Sequence, residues 1–120
     1  MAVLTIRDNR VFQRGYKKGK SFVSPVLVTY VSKGKKNQPT RIGITTSKKI
    51  GGAVRRNRAR RLIKESFRLL SPNVKPGYDV IFVARLKTTF STEPIIQKSM
   101  QKQLELAGLL QTTTPQECSP

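Results

Sequence analysis

One segment limits the fold more than any other. The stretch "AVRRNRARRLIKESFRLL" (Ala53–Leu70) has the period of an amphipathic helix with two incompatible faces. On a wheel of about 100° per residue, Ala59, Leu62, Ile63, Ser66, Phe67, Leu69 and Leu70 share one arc. Asn57, Arg60, Arg61, Lys64 and Arg68 share the opposite arc. The first arc must seat on a core, so the fold must offer this helix a layer to lie on. The second must face outward. Stability alone does not select such a face. Of the i,i+4 pairs Asn57/Arg61, Arg60/Lys64, Arg61/Glu65 and Lys64/Arg68, the second and the last repel.

The layer is legible elsewhere. "YDVIFVAR" (78–85) reads as a strand buried on both faces, the pattern of a sheet interior. "FVSPVLVTYVS" (22–32) reads as strand, with Pro25 setting its first part at an edge or bulge. "RIGITTS" (41–47) is another strand. Residues 33–40 and 71–77 carry the Gly, Asn and Pro of loops. Asp8 can cap a short first helix bearing Val11, Phe12 and Tyr16, which Gly15 weakens and Gly19 ends. A last helix over about 92–110 has Ile96, Met100, Leu104 and Ala107 on one face. The expected class is α/β, an α+β sandwich in the order αβββαβα, with about four strands and three helices. The 120 residues suit one domain over 1–110 and a frayed tail over 111–120.

Charge then narrows the partner. The chain has 24 Lys and Arg against 6 Asp and Glu, a net charge of +18. No acid lies between residues 9 and 64, where 17 of the basic residues do. Such a field calls for a polyanion. Lys48 and Lys49 precede Gly51 and Gly52, and the free N–H groups of the basic helix follow, a natural place for phosphate. The chain has no His and one Cys, Cys118, which excludes an internal disulfide framework, a zinc cluster and His- or Cys/His-based catalysis. Apolar runs are short, so neither a membrane span nor a signal-peptide core is expected, and a soluble cytoplasmic protein is the default. "GYKKGKS" (15–21) imitates a phosphate-binding loop, but its spacing is one residue short and it precedes a strand rather than opening a helix. Phe12 and Tyr16, four apart, fit core packing as well as base stacking.

The ordered string "TSKKIGGAVRRNRARRLIKESF" resembles the signature of the bacterial ribonuclease P protein component. A Ser-Lys-Lys approach and a Gly-containing turn lead to Arg56-Asn57-Arg58, then Arg60, Arg61, Leu62 and Ile63. The likeness extends over about residues 4–110. It implies a left-handed βαβ crossover, against the usual hand. It also implies a protein that joins a catalytic RNA to remove the 5′ leader of precursor tRNA, with magnesium held mainly by the RNA and no catalytic residue in the protein. Carried over by position, Lys49, Arg55, Arg56, Asn57, Arg58, Arg60, Arg61 and Lys64 would face the RNA subunit. Phe12, Tyr16, Lys17, Tyr30, Ser47, Lys48 and Arg85 would line the leader cleft. Ser24 and Pro25 stand where some relatives carry polar and basic side chains, which leaves leader contacts from that segment open. The implied partners are RNA, with no membrane and no small-molecule substrate. A ribosomal or other structural RNA binder would share the composition but not the ordered signature. A uniformly basic helix without a dimer seam argues against sequence-specific DNA reading.

Overall fold

The computed structural model describes residues 6, 9–34, 38–46 and 48–110. In chain order they form α1 (Asn9–Lys18), β1 (Lys20–Val23), β2 (Leu27–Lys33), β3 (Arg41–Thr45), a 3-10 turn (Lys48–Ile50), α2 (Ala53–Leu70), a second 3-10 turn (Ser71–Asn73), β4 (Tyr78–Ala84), α3 (Leu86–Phe90) and α4 (Glu93–Leu106). The strands make one mixed sheet in the order β1-β2-β4-β3. β1 with β2 and β2 with β4 are antiparallel, while β3 runs parallel to β4 and α2 makes the crossover between them. β4 is central, and Asp79 to Phe82 are buried, as the unbroken apolar run requires.

Strand alternation assigns the two faces. Leu27, Val31, Ile42, Val80, Phe82 and Ala84 point into one core with Ala59, Ile63, Phe67 and Leu70 of α2 and Ile96, Met100 and Leu104 of α4. Gln103 is a buried polar member of that layer. Its amide nitrogen donates to the carbonyls of Phe22 (3.1 Å) and Leu27 (3.0 Å), and its oxygen accepts from the Thr29 hydroxyl (2.5 Å). α4 is thereby fixed to the β1–β2 hairpin with its buried polar groups satisfied.

Several expectations change in detail. Residues 22–32 are two strands joined by a turn, and Pro25 sits in that turn, where Ser24 and Leu27 exchange backbone hydrogen bonds and no ladder N–H is needed from it. A further short helix, α3, follows β4. Leu69 lies outside the core and is exposed, since α4 and the sheet meet α2 along Ala59, Ile63, Ser66, Phe67 and Leu70. α4 ends at Leu106, where Gly108 takes a left-handed φ of 83° and lets Leu109 and Leu110 turn back into the core. Asp8 and the segment 111–120 with Cys118 lie outside the described residues.

Candidate nucleic-acid interface

α2 keeps the two faces that its sequence dictates. Asn57, Arg60, Arg61, Lys64 and Arg68 are all exposed. Glu65 does not break this face, because the Arg68 guanidinium hydrogen-bonds its carboxylate, holding it below the usual carboxylate range. Arg60, Arg61 and Lys64 overhang a groove of about 430 Å³ floored by Phe12, Gly43 and Ile44. Lys49 is exposed on the turn before the helix. Gly51, with φ 129°, redirects the chain into α2, and Gly52 caps it without a side-chain bond. Two of the expected residues, both exposed, also make contacts within the protein. Arg58 Nε donates to the Thr89 carbonyl (3.1 Å), and the Arg55 guanidinium stacks 5.6 Å from the centre of the Phe90 ring. Both brace α3 against α2. Arg56 is half-buried.

The second surface is on the opposite side of the sheet. Register sets its residues in rows across the strands. One row is Ser32–Asp79–Arg41, the next Ser21–Tyr30–Ile81–Gly43, the third Val23–Val28–Val83–Thr45. α1 lies over the middle row. Gly15 meets Ile81 so closely that a Cβ there would stand 2.5 Å from its Cδ1. Phe12 packs over Gly43 in the same way. The Tyr16 ring meets Tyr30 edge-on, 5.0 Å between centres, and its hydroxyl donates to Thr45 Oγ1 at 3.4 Å. Among the described residues no helix lies over the third row. It is a trough about 14 Å across, three strand spacings, walled by Tyr16.

Tyr16 is 41% exposed, whereas Phe12 is half-buried, so the pair divides between stacking surface and packing. Lys17 is exposed on α1. Arg85 follows the same face beyond Val83 and donates to the Ser24 carbonyl at 3.1 Å. The Ser24 hydroxyl itself turns to Ser99 of α4 (2.6 Å), away from the trough. Ser47 and the Lys48 side chain lie outside the described residues. Val23, Val28, Val83 and Thr45 had no signal in the sequence beyond ordinary strand composition.

The arrangement defines a class: a small α+β sandwich with an exposed cationic helix face and, on the α1 side of the sheet, a row of strand residues beside an exposed tyrosine. The chain belongs to the ribonuclease P protein family, whose family model, Ribonuclease P, matches residues 2–108. It is 47% identical over 105 residues to the ribonuclease P protein component of Clostridium novyi, covering 87% of this chain and 93% of that one. Similarity to the Clostridioides difficile protein component is 47% over 97 residues, 80% of this chain and 84% of the relative. The Staphylococcus aureus RNase P protein superposes with a TM-score of 0.79 at 34% identity, over 92% of this chain and all of that one. The Thermotoga maritima RNase P protein gives 0.75 at 25% identity, over 85% and 96%. The family's role is processing of the tRNA 5′ end, and membership implies partnership with the ribonuclease P RNA. Among the described residues no helix is long and apolar enough to cross a membrane.

Proposed function

We propose that this protein is the non-catalytic subunit of its ribonucleoprotein, acting in the cytoplasm, with residues 1–110 as one RNA-binding domain. The RNA subunit performs the phosphodiester hydrolysis. The exposed face of α2 (Asn57, Arg60, Arg61, Lys64), with Lys49 beside it, grips the phosphates of that RNA. The trough takes the single-stranded leader of precursor tRNA, with Tyr16 and Tyr30 offered to bases and Lys17 and Arg85 to phosphates. The observation that carries this reading is the open row Val23–Val28–Val83–Thr45 beside an exposed Tyr16. A sheet face left open next to an aromatic ring and cations suits an unpaired strand better than a duplex.

The distribution of acids supports the division of labour. Asp79 is buried against Arg41, and Glu65 is held by Arg68. Among the described residues no three His, Cys, Asp or Glu side chains lie together to hold a metal ion. Among the described residues the donor set offers no cluster for the magnesium that such hydrolysis uses, which favours the RNA as its place.

The test compares affinities of the RNA subunit for precursor tRNA and for mature tRNA, with and without the protein. The protein should tighten binding of the precursor and leave mature tRNA nearly unchanged. Equal tightening of both would remove the leader from the trough.

A further inference from the structure

A second cationic hollow lies at the edge of β2 beyond the start of β1, where Arg14 and Lys18 of α1 meet Lys20, Val31, Lys33 and Tyr78 of the opposite sheet face and Ala107 at the end of α4. β1 begins at Lys20, opposite Val31, so β2 runs on to Lys33 with β4 as its strand neighbour there among the described residues. A cavity of about 500 Å³ opens over that stretch. Val31 and Tyr78 form apolar walls, and Arg14, Lys18, Lys20 and Lys33 form the rim. These four come from three elements, α1, β1 and β2. No acid is among the described lining residues. Asp79 lies 3.7 Å from Arg14 but is already held by Arg41 through two hydrogen bonds of 3.0 and 3.1 Å. The three lysines are exposed and form no ion pair with a described residue.

Lys18, Lys20 and Lys33 are like charges around one hollow that repel each other, and folding gains nothing from placing them there. An anion removes that repulsion. The walls add a second requirement, since a bare phosphate would leave them wet while a base attached to a phosphate would cover them. We propose that this hollow binds one nucleotide of the RNA subunit, its phosphate among Lys18, Lys20 and Lys33 and its base against Tyr78. The inference rests on the functional reading above. Lys20, Val31, Lys33 and Tyr78 are on the α4 face of the sheet and the trough is on the α1 face, so a leader strand beside Tyr16 does not reach them. The exposed face of α2 overhangs β3 at one end of the sheet, and the hollow sits at the β1–β2 end. A large folded RNA reaches both ends and would clasp the protein from two sides.

The test uses three variants of the full chain, each titrated with the RNA subunit over a range of salt. They are Lys18→Ala/Lys20→Ala/Lys33→Ala, the charge-matched Lys75→Ala/Lys98→Ala/Lys102→Ala, and Arg60→Ala/Arg61→Ala. The hollow variant should bind roughly tenfold or more weakly, with a salt slope shallower by about one unit, as expected for the one phosphate it no longer neutralises. The charge-matched variant should change affinity by less than about threefold, the loss of diffuse field alone. Equal losses in the two triple variants would overturn the hollow as a site. A loss seen only with leader-bearing precursor would overturn its assignment to the RNA subunit. Normal binding by the hollow variant while Arg60→Ala/Arg61→Ala fails overturns this inference alone. Normal binding by both overturns the functional reading with it.

Discussion

The Phe12 ring lies directly over Gly43, and a methyl group on that glycine would stand 2.5 Å from the ring's Cε1 and Cζ. The contact places α1 on the sheet and so decides which row of strand residues stays open. Gly43→Ala should therefore act twice. Overpacking should cost about 1–3 kcal/mol of stability, read by urea unfolding. Displacement of α1 should also weaken leader-bearing precursor more than mature tRNA. Wild-type stability with normal leader affinity would show that α1 has another anchor.

Tyr16 meets Tyr30 edge-on and leaves 41% of itself exposed. Replacing it with Ala should weaken binding of precursor by about 1–3 kcal/mol if it stacks a base, with mature tRNA unaffected. Tyr16→Phe should keep most of that affinity, because the hydroxyl's bond to Thr45 is long at 3.4 Å. Equal losses for precursor and mature tRNA would make Tyr16 a packing residue.

Arg58 and Arg61 are three apart on one helix and have different work. Arg61 overhangs the groove beside Phe12, while Arg58 holds the Thr89 carbonyl. Arg61→Ala should lower the salt slope of RNA-subunit binding by about one unit. Arg58→Ala should leave the slope nearer to wild type and instead loosen α3, measured as faster amide exchange at residues 86–90. A full slope change in Arg58→Ala would return it to the interface.

Gln103 satisfies three groups of the β1–β2 hairpin from α4. Gln103→Leu preserves bulk but leaves the two carbonyls and the Thr29 hydroxyl without that partner. The Leu27 carbonyl still accepts from Ser24 N–H at 2.9 Å, while an unsatisfied buried group such as the Thr29 hydroxyl costs about 1–3 kcal/mol, so a loss of that order is expected in denaturant unfolding. A neutral result would mean that water replaces the amide.

Much of the fold is legible in the sequence because period and punctuation agree. α2 runs over the expected Ala53–Leu70, bounded by Gly51 and Gly52 before it and Ser71 and Pro72 after it. β4 is central, as its apolar run implies. α3 is not legible, since the five residues "LKTTF" are too short to show a period. The ambiguity of Phe12 and Tyr16 could not be resolved locally either. Their spacing places both on one face, but Gly43 lies across from one and Tyr30 from the other, and those partners are distant in the chain. The same holds for Arg55 and Arg58, which look identical to Arg60 and Arg61 until Phe90 and Thr89 are brought beside them. The trough is the clearest case. Its four floor residues become a surface only because α1 covers the neighbouring row and not theirs.

The central claim is that the protein supplies binding surface and charge while the RNA supplies chemistry. The most direct measurement is cleavage of a precursor tRNA by the partner RNA at low magnesium, with the protein present, absent, or alone. The account predicts site-specific leader removal only when RNA and protein are together, and none by the protein alone. Cleavage by the RNA-free protein, or tight RNA binding without any gain in leader removal, would contradict it.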